Sequence, residues 1–161
     1  HRLRLQWQMK FFQWLQKPQI MAWWDSESNW EEFEKRHLDM IMSPLVFPHI
    51  VYKDETPIGF INYWFVEEDS DFKPYFQRNT VGTDQCIGIP ELVGKGIGTE
   101  FIRQFTHELL LKPDIGLVIT DPDLQNVNAI RAYEKAGFIK SKIMNTSEGK
   151  IQLLEKKRFF I

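Results

Sequence analysis

The segment Gly94-Lys95-Gly96-Ile97-Gly98-Thr99 carries glycines at alternate positions and stands between a predicted strand and a predicted helix. A residue without a Cβ lets an anion approach the backbone, and the amide N–H groups at a helix start attract phosphates. The spacing does not fit a P-loop, because Lys95 is followed by a glycine rather than by Ser or Thr. It does not fit a dinucleotide fingerprint, because Thr99 occupies the position of the third glycine. Alone, the segment is equally consistent with a tight turn and with a phosphate-binding loop.

Carboxylates are the second group of residues that could carry chemistry. Residues 1–84 contain 13 acidic and 9 basic side chains, whereas residues 85–161 contain 9 and 11. Two acidic clusters cause most of this difference: Asp25, Glu27, Glu31, Glu32 and Glu34, and Glu67, Glu68, Asp69 and Asp71. Such charge is either solvated surface or the lining of a cleft for a cation. The net charge of −2 and the lack of a dense basic run argue against nucleic acid as a partner.

The elements that must position these residues alternate between helical and strand patterns, which predicts an α/β fold with a mixed sheet. With 161 residues, of which 43% are hydrophobic, the chain is long enough for one domain with a core. Leu3 and Leu5 alternate with polar residues and predict a strand. Helices are predicted over residues 8–17, over 30–42 with Ser28 or Asn29 as cap, from the glycines to just before Pro113, and over 126–136. Strands are predicted over residues 49–52, 58–66, 81–89, 116–120, 138–143 and 151–155, and the connection 67–80 is typical of a binding loop.

A second motif reads Asn126-Val127-Asn128-Ala129-Ile130-Arg131-Ala132-Tyr133-Glu134-Lys135-Ala136-Gly137-Phe138. With the glycine segment, it resembles the GNAT acetyltransferase superfamily, whose x-x-G-x-G-x loop precedes a helix and whose later helix reads N-x-x-A-x-x-x-Y-x-x-x-G-F. Gly82-Thr83-Asp84-Gln85-Cys86-Ile87-Gly88 and Thr120-Asp121-Pro122 are similar to segments of the aminoglycoside 6′-N-acetyltransferases. The likeness includes Arg2-Leu3-Arg4, Trp14-Leu15 and Trp23-Trp24, so it covers nearly the whole chain.

The resemblance implies a GNAT fold over residues 1–161, a single domain whose central mixed sheet has splayed parallel strands and flanking helices. It also implies that acetyl-CoA is the co-substrate, with its pantetheine arm along the strand at residues 85–89 and its diphosphate on the glycine loop. The positions that match cofactor-binding residues are Ile87, Val93, Gly94, Lys95, Gly96, Ile97, Gly98, Thr99, Asn126, Ala129 and Tyr133.

Acetyl transfer needs a neutral amine, a stabilised acyl oxygen and a proton for the leaving thiolate. The resemblance makes Asp84 the first candidate for the base and Asp121 a further one, and Tyr133 matches the tyrosine that acts as general acid. A strand amide near Ile87 is expected to polarise the acetyl oxygen. The candidates for binding the acceptor are Asp71, Trp23, Trp24, Asp84 and Asp121.

Plain structural roles compete with these assignments. Asp84 could pin a strand end, Asp121 could belong to the turn at Pro122, and Tyr133 and the two tryptophans could pack in the core. His37, His49 and His107 lack metal-ligand spacing, so no metal is predicted. Cys86 is expected to be a small buried hydrophobe rather than a nucleophile.

The resemblance implies an enzyme that moves acetyl from acetyl-CoA to a primary amine, and the 6′-amine of a cationic aminosugar, an aminoglycoside, fits the acidic first half best. The alternatives are a GNAT enzyme acting on another amine (a siderophore hydroxylamine, a polyamine or a protein N-terminus) and a non-catalytic acyl-CoA-binding module. We expect a cytoplasmic monomer or homodimer without membrane association. Because the sequence starts at His1 rather than Met, we also expect a trimmed N-terminus.

Overall fold

The computed structural model describes residues 2–24, 29–76 and 79–158, and for residues 2–6 it describes the backbone alone. The helices in these residues are α1 (Arg2–Leu15), α2 (Pro18–Met21), α3 (Trp30–Met42), α4 (Ile97–Leu111) and α5 (Val127–Lys135). The strands are β1 (Val46–Lys53), β2 (Thr56–Phe65), β3 (Thr80–Ile87), β4 (Leu117–Thr120), β5 (Ile139–Thr146) and β6 (Gly149–Lys157). Short 3₁₀ turns lie at Lys73–Tyr75 and Pro90–Leu92.

These strands form one sheet in the order β1-β2-β3-β4-β6-β5. A parallel ladder joins residues 80–82 of β3 to residues 117–119 of β4, and β3 then continues to Ile87. The pairs β4–β6 and β6–β5 are antiparallel. All four residues of β4 are buried, which explains why this strand is almost uniformly apolar. The predicted α/β fold with a mixed sheet is confirmed.

The N-terminal strand prediction was wrong, because residues 2–6 belong to helix α1. Two leucines two positions apart fit a strand, but Leu3 also stands four residues before Trp7 and eight before Phe11. That spacing continues one helical face. The predicted helix at 30–42 is confirmed, with Asn29 as its cap: Asn29 Oδ1 accepts from the N–H of Glu31 over 2.8 Å. The alternative cap, Ser28, lies outside the described residues.

The described chain divides into two compact units, the first within residues 1–62 and 85–93 and the second within 63–84 and 94–161. The extent of the domain, 1–161, stays a prediction. In the first unit, α1, α2, α3 and parts of β2 and β3 contribute to an aromatic core in which the ring of Phe11 stacks on that of Phe60 at 4.2 Å. Trp14 lies so close to Gly88 that a Cβ there would be 2.1 Å from the indole, so only glycine fits. The Lys17 ammonium donates to the Gly88 carbonyl over 2.6 Å.

The second unit has its own core between the sheet and the 67–79 connection. Its buried members are Val66, Phe72, Tyr75, Leu117, Ile119, Ile151 and Leu153. The connection predicted as a loop therefore contributes two aromatic rings to the core. Within the described part of the chain, none of the helices has both the length and the apolarity that crossing a membrane requires.

Candidate active site

The glycine segment forms the start of α4 in the second unit. Gly94 and Gly96 both have φ +79°, and a Cβ on either would meet no heavy atom within 4 Å, so open space faces the backbone there. Gly96 is the N-cap of α4 and offers no side-chain hydrogen bond to the first helical amides. Those amides have no partner one turn earlier in the helix, and the helix dipole places its positive end there. This geometry is compatible with an anion at the helix start, and the binding role of the segment stays a prediction. Lys95 is exposed, while Ile97, Gly98 and Thr99 are partly buried in the first turn.

The second motif forms α5 and its two ends. The Asn126 side chain accepts from the Ala129 N–H over 3.3 Å and caps the helix, so these two predicted cofactor-binding residues are joined to each other. Tyr133 is buried and makes an edge contact with Phe138, with ring centroids 5.3 Å apart. Gly137 has φ +104°, which suits glycine at the helix end. Asn126, Tyr133 and Gly137 therefore each have a local structural role. The cofactor-binding roles of Asn126, Ala129 and Tyr133 stay predictions.

Asp84 and Asp121 belong to one electrostatic group in the second unit. Asp84 is the last residue of β3 that belongs to the second unit. Asp121 directly follows β4, which pairs with β3 in parallel. Burial, together with the negative charges of Asp84, Glu148 and Asp71, raises the pKa of Asp121 well above its ordinary value. The carboxyl of Asp121 is therefore a better proton acceptor near neutral pH than a solvated aspartate.

Glu148 is a member of this group that the sequence did not predict. It lies in the turn between β5 and β6. Ser147 in the same turn donates to Asp71 Oδ2, from its hydroxyl over 3.0 Å and from its backbone N–H over 3.4 Å. The turn thus holds Asp71, whose charge is one of those that act on Asp121. Only the effect of its charge on Asp121 in the folded chain reveals Glu148, and no sequence spacing encodes that proximity.

Trp64 is a second residue without a sequence signal. Its indole N–H donates to Asp84 Oδ2 over 2.9 Å. A tryptophan in a strand is ordinarily read as core packing, and its partner depends on how β2 aligns with β3.

The other candidate residues lie in the first unit. Trp23 is 46% exposed, whereas Trp24 packs its ring against Phe11 and Phe60 in the aromatic core. Ile87, the last residue of β3, is partly buried, and Val93 after the 3₁₀ turn is exposed. Cys86 is buried, which raises the pKa of its thiol to about 12, so it stays a neutral thiol at physiological pH.

The other described members of the two acidic clusters are exposed. Glu31, Glu32 and Glu34 are exposed on α3 in the first unit, and Asp25 and Glu27 lie outside the described residues. Glu67, Glu68 and Asp69 are exposed in the second unit. Solvated surface is the simplest account of these six described carboxylates. The second unit alone therefore provides a helix start that could receive an anion and a carboxylate group that could bind a cation and accept a proton.

Sequence and structure comparisons with known proteins agree with one another. The sequence profile of the acetyltransferase (GNAT) domain matches residues 9–146. The aminoglycoside N(6′)-acetyltransferase type 1 of Klebsiella pneumoniae is 28% identical over 144 residues, covering 86% of this chain and 72% of that protein. The structure of AAC(6′)-Ib in complex with paromomycin and acetyl-CoA superposes with a TM-score of 0.89 at 25% identity, covering 95% of this chain and 89% of that one. AAC(6′)-Ib in complex with coenzyme A and kanamycin gives a TM-score of 0.88 at 26% identity, with 95% and 90% covered.

Proposed function

The chain belongs to the GNAT acetyltransferase family, and on that basis we propose that it transfers the acetyl group of acetyl-CoA to the 6′-amine of an aminoglycoside. The observation that carries the choice of acceptor is the carboxylate group in which the charges of Asp71, Asp84 and Glu148 act on the buried carboxyl of Asp121. The names of the similar proteins, which include aminoglycoside acetyltransferases and a complex with kanamycin, agree with it.

An aminoglycoside is a sugar that carries several ammonium groups. Clustered carboxylates bind such a polycation through charge-assisted hydrogen bonds, which are roughly twice as strong as neutral ones. Acetylation removes one of the positive charges. Because those charges attract the drug to RNA phosphates, the product binds RNA less tightly, and this loss would confer resistance.

The amine must lose a proton before it can attack. We assign this proton to the Asp84–Asp121 pair, with Asp121 as the acceptor, because burial and like charge raise its pKa. Asp84 then holds the ammonium in place. This reverses the order of the two candidates from the sequence, where Asp84 comes first as the base. Since the two carboxyls interact, their titration belongs to the pair.

The donor side uses the backbone of the glycine segment. The open space at Gly94 and Gly96 and the uncapped amides of α4 fit the diphosphate of acetyl-CoA. The resemblance alone assigns the acyl oxygen to a strand amide near Ile87, and that role stays a prediction. As the nitrogen–carbon bond forms and the carbon–sulfur bond breaks, the Tyr133 phenol would supply the proton that the thiolate needs.

The direct test is release of free thiol from acetyl-CoA in the presence of single acceptors. Kanamycin and tobramycin should be turned over, and spermidine, a peptide N-terminus and an N-hydroxylated amine should not. Turnover of one of the latter alone would move the activity to another amine. Calorimetric uptake of coenzyme A without acetylation of any of these acceptors would indicate a binding module.

A further inference from the structure

The Trp64 indole on β2 contacts the carboxylate of Asp84, the residue to which we assign binding of the acceptor ammonium. The backbone N–H of Val66 donates to the Thr80 carbonyl over 3.4 Å, which sets the end of β2 beside the start of β3. Trp64 precedes Val66 by two residues, and Gly82 follows Thr80 by two. Trp64 therefore stands beside Gly82, and its indole N–H reaches Oδ2 of Asp84 over 2.9 Å.

Gly82 is what lets the indole take this path. A Cβ at Gly82 would lie 2.0 Å from Cζ2 and 2.2 Å from Cε2 of Trp64, so the ring crosses β3 over the glycine backbone. Residues two apart on a strand share a face, so Asp84 points to the side where Gly82 has no side chain. An aromatic side chain is long enough to reach such a diagonal neighbour on the adjacent strand. This gives the glycine of the Gly82-Thr83-Asp84 motif a physical role.

The direction of the N–H is fixed by packing. The Trp64 ring lies 5.9 Å from that of Phe72 at an angle of 40°, and it packs against the buried core of the second unit. The indole is partly buried and confined by Phe72 and by the β3 backbone at Gly82. A donor held in this way fixes the orientation of the carboxylate that accepts from it.

We propose that Trp64 is a positioning residue that acts through Asp84 and fixes its carboxylate for the acceptor ammonium, an inference that rests on the proposed function. Trp64 acts on the reaction only through the Asp84 carboxylate. Its effect must therefore disappear when the Asp84 carboxylate is absent.

A double-mutant cycle tests this dependence. Trp64→Phe keeps an aromatic ring and removes the N–H, so kcat/KM for the aminoglycoside should fall about tenfold, the effect of losing a hydrogen bond to a charged group. KM for acetyl-CoA should not change. In the Asp84→Ala background, the same substitution should change the residual rate less than about twofold. An equal loss in both backgrounds, or no loss in the wild-type background, would overturn the proposal.

An NMR measurement makes the test independent of turnover and of the folding of Trp64→Phe. The indole N–H resonance of Trp64 should move upfield in Asp84→Ala, because the charged acceptor is gone. Gly82→Ala, which places a methyl in the space of the ring, should move the same resonance and lower kcat/KM. An unmoved resonance in Asp84→Ala would refute the contact. If the wild-type protein acetylates no amine, the proposed function fails while this result still stands.

Trp30→Phe is the matched control. Trp30 lies on α3 in the first unit and packs on Phe12 and Phe33. The same substitution there should leave kcat/KM for the aminoglycoside within about twofold of wild type, because it does not remove the Trp64 hydrogen bond to Asp84. A tenfold loss in this control would make the Trp64 effect nonspecific and would also overturn the proposal.

Discussion

The Ser147 hydroxyl donates to Asp71 Oδ2 over 3.0 Å, although the two residues are 76 positions apart in the sequence. This bond joins the 67–79 connection to the β5–β6 turn, which also carries Glu148. Two of the carboxylates that act on Asp121 are thereby held by one short turn. The carboxylate group depends on this contact for part of its geometry.

Ser147→Ala should raise KM for the aminoglycoside about two- to tenfold, the range expected for one lost hydrogen bond, because Asp71 then keeps only the longer bond from the backbone N–H of residue 147. KM for acetyl-CoA and the melting temperature should not change. Steady-state kinetics with each substrate varied in turn would measure this. Ser141→Ala, an exposed serine on β5, is the control and should have no effect. An unchanged KM in Ser147→Ala would separate Asp71 from acceptor binding.

Asp121→Asn should lower kcat about 10²- to 10⁴-fold, the usual contribution of an acid–base group, because the amide cannot accept the proton of the ammonium. Coenzyme A binding, measured by calorimetry, should be nearly unchanged. Asp84→Asn should also lower turnover, and a larger loss there than in Asp121→Asn would restore Asp84 as the base. Full activity of Asp121→Asn would remove that residue from the reaction.

The pH dependence of stability tests the Asp121 environment separately from catalysis. Because its pKa is raised in the folded state, the folded protein binds this proton more tightly than the unfolded chain does. The resulting stability is fully present below the ordinary aspartate pKa and is lost as the pH rises through the raised value. The free energy of unfolding in urea, measured at several pH values, should fall over this window in the wild type and fall less in Asp121→Asn. Asp114→Asn, at an exposed aspartate, should follow the wild type. Identical profiles for wild type and Asp121→Asn would contradict the assigned environment.

Gly96→Val should weaken coenzyme A binding about 10- to 100-fold, the range for one lost hydrogen bond to a charged group, because a branched side chain would occupy the open space before α4. Val also strains a backbone with φ +79°, whereas Asn tolerates that conformation better. Gly96→Asn therefore separates blocking from strain: it should bind weakly while keeping its melting temperature. Calorimetry and thermal unfolding give the two quantities, and wild-type affinity in both variants would mean that the diphosphate binds elsewhere.

Local patterns predicted the parts of the molecule whose cause is local. Helix α5 begins just after Asn126, which caps its first turn, and ends before Gly137, which adopts positive φ. Both properties belong to the residue type. The strand prediction at residues 2–6 was wrong because the leucines fit both the two-residue period of a strand and the 3.6-residue period of a helix, and the helix forms.

Contacts between segments that are distant in the chain could not be predicted from sequence patterns. The position of Glu148 depends on the β5–β6 hairpin, and the Trp64–Asp84 bond depends on the alignment of β2 with β3. A one-residue slip of β2 against β3 would point the Trp64 side chain to the other face of the sheet. The acidic first half was consistent with solvated surface or with a cation-binding cleft, and it did not reveal which of its carboxylates act on Asp121.

Neomycin and paromomycin offer the most direct test, because they differ only in bearing an amine or a hydroxyl at the 6′ position. The chain should acetylate neomycin once, on the 6′ nitrogen, and leave paromomycin unmodified while still binding it. Mass spectrometry counts the acetyl groups, and NMR of the product locates them. Acetylation of both compounds at equal rates, or of neomycin at another nitrogen, would contradict 6′-N-acetyl transfer.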